Sequence, residues 1–109
     1  EMKHGPLALI EKDLPVVCIV PPGPLFHKTI SNVQEVISRG GKVLMITDET
    51  SLEADSDNIW DIFRLPKINT TIEGLVYPVP IQMLAYYTAL EKGNDIDQPR
   101  NLAKSVTVE

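Results

Sequence analysis

Cysteine occurs once in this sequence, at Cys18 inside "PVVCIV". One thiol excludes an intrachain disulfide and a cysteine zinc cluster. Within a β-branched run it reads as a small hydrophobe of a buried strand rather than a nucleophile, and a reducing cytosol is the expected compartment. Positive charge is also scarce: ten Lys and Arg stand against fifteen Asp and Glu, a net charge of −5, with no basic cluster. Nucleic acid and anionic membranes require cations gathered on one face, so neither is an expected partner. No apolar run approaches the ~20 residues of a membrane span. There is no Gly-rich phosphate loop; Gly40-Gly41 reads as a helix stop.

What is present is average for a globular domain: 109 residues, 43% hydrophobic and 23% charged. That length predicts one domain or a large part of one. The first residue is Glu1 rather than Met, as expected of a segment of a longer protein.

"LPVVCIVPP" (Leu14–Pro22) is a continuous β-branched run, the pattern of a strand covered on both faces. After Gly23-Pro24, apolar residues at Phe26, Ile30, Val33 and Ile37 share one helix face, and Gly40-Gly41 ends that helix. "KVLMITD" predicts a second buried strand and "IWDIFRLP" a third, more alternating and nearer an edge. The reading is α/β, with parallel strands at 15–21, 42–47 and 60–65 in sequential order. Thr70 and Glu73 have the spacing of a capping box. The helix they open meets Pro78 and Pro80, which should kink or break it. It resumes through "IQMLAYYTALEK", apolar nearly all round and so expected to be buried on most sides, and stops at Gly93. Three strands are few for so much apolar surface. A missing N-terminal half or a partner subunit is expected to cover the rest.

Candidate chemistry is sparse. His4, directly before Gly5-Pro6, would sit at a turn that suits a general acid or base; spacing alone favours a surface histidine. His27, beside the apolar helix face, reads as solvated. Lys104 would need burial or a cationic neighbour to act as a nucleophile. Leu102 and Ala103 offer a dry wall and Arg100 a positive charge, against the plainer reading of a solvated terminal lysine. Asp48, Glu49, Glu53, Asp55 and Asp57 follow the second strand, where α/β sheets bind ligands. Without histidine or ligand spacing they read as a solvated loop, and no metal or cofactor is expected.

The two ends are more specific than this pattern. "EMKHGPLALI" and "VPIQMLAYYTALEKGNDIDQPRNLAKSVTVE" resemble the isomerase part of the glutamine–fructose-6-phosphate aminotransferase family, the glucosamine-6-phosphate synthases. The middle is similar in layout and looser in residues. The resemblance implies a parent with a glutaminase domain and two flavodoxin-like sugar-isomerase (SIS) domains. Residues 1–109 would be the last three strands of the second SIS domain, with an ordered, active-site tail at 94–109. It implies a cytoplasmic homodimer acting on fructose 6-phosphate and glutamine-derived ammonia to form glucosamine 6-phosphate. Lys104 of "NLAKS" would form a Schiff base with the open-chain ketose. His4 of "KHGP" would assist ring opening in the neighbouring subunit's site. Backbone around Ala103 would line the sugar, and the tail would cover it.

The family's proton-moving glutamate and Ser/Thr phosphate cradle lie upstream of this stretch, so the fragment alone is expected to be inactive. Tyr87 stands where relatives often carry histidine. Two other readings remain open: a phosphosugar-binding SIS module without chemistry, and a self-association piece.

Overall fold

The computed structural model describes residues 2–48 and 58–98. The chain divides into two compact units, Glu1–Gly74 and Leu75–Glu109, described in turn.

In the first unit, 3-10 turns at Met2–His4 and Pro6–Leu9 precede strand β1 (Pro15–Ile19), helix α1 (Phe26–Ser38), β2 (Lys42–Asp48) and β3 (Asp61–Leu65). The strands form one parallel sheet in the order β1-β2-β3. The sequential parallel arrangement read from the β-branched runs is therefore the arrangement found.

Helix α1 starts without a side-chain cap; the Phe26 N–H donates to Gly23 O at 3.0 Å. Its other end is closed by two backbone bonds, Gly40 N–H to Ile37 O and Gly41 N–H to Val36 O. Gly40 has φ +85°, the left-handed conformation that this double closure needs and that a side chain disfavours. The apolar stripe of α1 supplies Ile30, Val33 and Val36 to a core shared with Leu7, Val20, Val43 and Met45. Each such side chain contributes about 1.5–3 kcal/mol through removal from water.

The register Val16↔Val43, Cys18↔Met45 and Met45↔Ile62 puts these residues on the sheet face that meets α1. Central strand β2 is buried on both faces, from Val43 through Asp48 apart from half-buried Leu44. Strand β1 corrects the expectation of two-sided cover. Val16 and Cys18 pack on the core, but Val17 and Ile19 remain 41% and 39% exposed. The reason is position: β1 is an edge strand here, so its continuous apolar run is used on one face only. Strand β3 is the other edge, as its alternation suggested, with Phe63 exposed.

The start of the next helix also differs from expectation. Asn69, not Thr70, is the cap: its Oδ1 accepts the Thr71 N–H at 2.9 Å and opens a 3-10 turn, Thr70–Ile72. An Asn side chain reaches the backbone N–H two residues on, and that local bond takes the place of the expected box. Glu73 instead begins a single α-turn, α2 (Glu73–Val76), and its Oε1 is buried with no hydrogen-bond partner among the described residues.

In the second unit, the helix breaks at Tyr77 and resumes as α3 (Pro78–Glu91) with Pro78 in its first turn. There a proline costs nothing, because that backbone position has no intrahelical acceptor to meet. Gly93, at φ +66°, repeats the closure seen on α1: its N–H donates to Leu90 O and that of Asn94 to Ala89 O, both at 2.9 Å. The expected burial of α3 is not found. Pro80 is its one buried residue, while Val79, Met83, Tyr86, Tyr87 and Leu90 are exposed. A helix apolar on every side needs cover on every side, and the described residues do not supply it.

Candidate functional site

Parallel sheets bring chemistry to the carboxyl ends of their strands, because the loops that follow diverge there. In this sheet the central strand ends on Thr47 and Asp48, 0% and 2% exposed. Asp48, read both as the end of "KVLMITD" and as the first of the acidic group after it, belongs to the buried strand. It completes β2 in register with Leu65 of β3. The signal was its place as the last residue of an unbroken apolar strand. The Thr47 hydroxyl is fully buried and takes no hydrogen bond from the described residues. Acidic residues 49–57 lie outside the described residues.

His4 ends the first 3-10 turn and is exposed. That exposure is what its spacing alone predicted. His27 is exposed as expected, its ring edge-on to Phe26 at 5.5 Å between centroids. Cys18 is half buried against the core, and burial pushes its thiol pKa up. A raised thiol holds its proton at neutral pH, which fits packing rather than nucleophilic attack. Among the described residues no three His, Cys, Asp or Glu side chains come together as a metal site, and no helix is long and apolar enough to cross a membrane.

Lys104, Ala103, Arg100 and Leu102 lie outside the described residues. What is described is the stretch that leads to them. Beyond Gly93 the chain turns on Asp95, whose Oδ1 accepts the N–H groups of Asp97 and Gln98, each at 2.9 Å. Those two bonds lower the carboxyl pKa, since they favour its ionised form. Sequence reading passed over this residue, although an Asp just after a helix-ending Gly-Asn pair is a recognisable turn signal, since its side chain can bond the backbone two residues on.

Comparison with known proteins covers the described and undescribed parts alike. The SIS domain family profile matches residues 1–92. All 109 residues align at 53% identity with a glutamine–fructose-6-phosphate aminotransferase (isomerizing) of Zymomonas mobilis, of which they cover 18%. They align at 55% with one of Sphingobium yanoikuyae, covering 70% of it. In three dimensions the chain is similar to the C-terminal domain of glucosamine-fructose-6-phosphate aminotransferase from Francisella tularensis. That similarity has a TM-score of 0.80 at 39% identity, over 88% of this chain and 27% of that one. The chain therefore spans under a fifth of the length of the Zymomonas relative.

Proposed function

The chain belongs to the SIS domain family and, within it, to the isomerizing glutamine–fructose-6-phosphate aminotransferases, and from that premise we propose that it supplies two residues to the sugar site of such an enzyme. The observation that carries the proposal is the extent of the match. It runs over all 109 residues, so it includes both the segment bearing His4 and the one bearing Lys104.

In the proposed reaction His4, exposed on its own chain, moves a proton as the ring of fructose 6-phosphate opens in the neighbouring subunit's site. Opening the ring frees the C2 ketone. The neutral amine of Lys104 adds to that carbon and water leaves, giving an imine. An imine takes up a proton more readily than a ketone, so C2 becomes the better acceptor for ammonia derived from glutamine. Ammonia adds to C2, the Lys104 amine leaves as it takes up a proton, and an imine of fructose 6-phosphate remains; transfer of a proton from C1 to C2 then completes glucosamine 6-phosphate, with the base for it provided by the parent's upstream segments. The phosphate cradle is assigned to those segments too, which accords with the −5 charge of this chain. Backbone at Ala103 lines the sugar. On this reading the 109 residues alone are inactive, and the domain is the C-terminal part of a second SIS domain with its tail at 94–109.

The parent is proposed to be a homodimer. The exposed side chains of α3, Met83, Tyr87 and Leu90 among them, favour a helix that is covered in the assembled enzyme. A cytosolic location is proposed on the strength of the free thiol of Cys18.

Borohydride trapping tests the central step. Reduction of the full-length enzyme in the presence of fructose 6-phosphate should fix the sugar on Lys104. Lys104→Arg keeps the charge but cannot form the imine, and should abolish labelling and synthesis together. Undiminished synthesis in that variant would sink the assignment.

A further inference from the structure

We propose that Leu9 is a positioning residue for His4: it anchors the turn that carries the histidine on a second copy of the chain. The inference rests on the reading in which His4 serves the neighbouring subunit's site, and adds a residue that reading does not use.

Short-range bonds hold the segment from Met2 to Ile10 as one piece. The Gly5 N–H donates to Met2 O at 3.4 Å and closes the turn that ends in His4. The Ala8 N–H donates to Gly5 O at 2.9 Å and closes the next, and that of Ile10 returns to Leu7 O at 3.3 Å. Pro6 opens this second turn with its φ already fixed. Leu7 fastens the pair to the sheet: it is buried in the core with Val33, Val36 and Val43. The placement of His4 relative to Leu9 is therefore set by the fold before any partner arrives.

Leu9 has the opposite fate to Leu7. It is 74% exposed, and Pro6, three residues earlier and so on the same edge of a 3-10 turn, is exposed too. Single apolar side chains on a surface are ordinary. What distinguishes this one is its distance from His4. Five positions span no more than about 18 Å when extended, and less through two 3-10 turns. A stable interface takes in about 20–30 residues a side. A neighbour whose site receives the His4 ring at such an interface therefore reaches Leu9 as well. Covering a leucine on an already fixed turn costs little ordering and removes apolar surface from water. That gain would hold the turn, and the histidine with it, against the second copy.

The test uses the full-length enzyme and reads dimer dissociation by sedimentation velocity, the thermal midpoint, synthesis and glutamine hydrolysis. Leu9→Asp should raise the concentration of half-dissociation about ten-fold and lower synthesis in dilute enzyme, with hydrolysis within about two-fold of wild type. Synthesis should return as the enzyme is concentrated and the dimer re-forms. Leu9→Ala, which only shortens the side chain, should weaken association about five-fold. Leu9→Met should stay within about two-fold of wild type. Wild-type association in Leu9→Ala would overturn the assignment. So would unchanged association with a lowered thermal midpoint, which would show Leu9 to be covered by another part of its own chain. Full synthesis in His4→Ala is a different failure: it removes the ring-opening reading and this inference with it.

Discussion

Lys42 and Asp13 clasp the entrance of the sheet, with Lys42 Nζ 3.0 Å from Asp13 Oδ1. The contact joins the residue that starts β2 to one two positions before β1. Backbone bonds beside it do the same: the Asp13 N–H donates to Gly40 O, and that of Lys42 to Leu14 O, both at 2.8 Å. Asp13 takes φ +65°, which is costly for a residue with a side chain. Lys42 also lies 6.0 Å from the centre of the Trp60 ring.

The clasp separates two effects by substitution. Both side chains are about half exposed, so the ion pair itself should contribute under about 1 kcal/mol. Asp13→Ala loses the pair and keeps the unfavourable φ, and should destabilise the chain by about 1 kcal/mol. Asp13→Gly also loses the pair but relieves the backbone, and should lie near wild type. Urea unfolding of both variants decides it; equal losses would mean the ion pair dominates.

Gly41 has no space for a side chain. A Cβ there would meet Val36 Cγ1 at 2.7 Å and Ile10 Cγ2 at 3.0 Å. Gly41→Ala should therefore cost about 1–3 kcal/mol through overpacking. Adding Val36→Ala removes the nearest obstacle, so the double variant should lose less than the sum of the single losses. Strict additivity by denaturant unfolding would contradict the contact.

Cys18 should behave as a core residue in its chemistry. Its pKa is raised by burial, so the folded form binds the thiol proton more tightly than the unfolded chain does. The associated stability is fully present below the unfolded thiol pKa and is lost as pH rises from there through the folded value. Alkylation by iodoacetamide should be slow near neutral pH in the folded protein and should accelerate in urea. Rapid labelling of the folded protein at pH 7 would refute the burial argument.

His4 offers a functional separation. In the full-length enzyme, His4→Ala should impair glucosamine 6-phosphate synthesis while glutamine hydrolysis continues largely intact. Its exposed position argues against a folding loss. Parallel loss of both activities would indicate misfolding and withdraw the ring-opening role.

Much of this could be read before any coordinates, because it depends on neighbours along the chain. The β-branched runs around Val16 and Leu44 mark strands, the Phe26–Ile37 spacing marks α1, and the glycines at 40 and 93 mark both helix ends. The prolines at 78 and 80 mark the break at Tyr77. The residues "KHGP" and "NLAKS" carried the family resemblance and with it the candidates His4 and Lys104. Local conformational preference and short-range hydrogen bonds decide such features, and both are encoded within a few residues.

Burial was another matter, since it is a property of what comes from elsewhere to cover a residue. Val17 and Val43 sit in runs of the same character, yet one is exposed on an edge strand and the other fully buried at the centre. Asp48 has the composition of the acidic loop after it but is enclosed as the last residue of the central strand. Asn69 displaced Thr70 as cap through one competing side-chain bond. Strands, helices, their order and the family were thus legible along the chain; which faces are covered was not, because the order of strands in the sheet, and not the character of any one strand, sets who has a neighbour on each side.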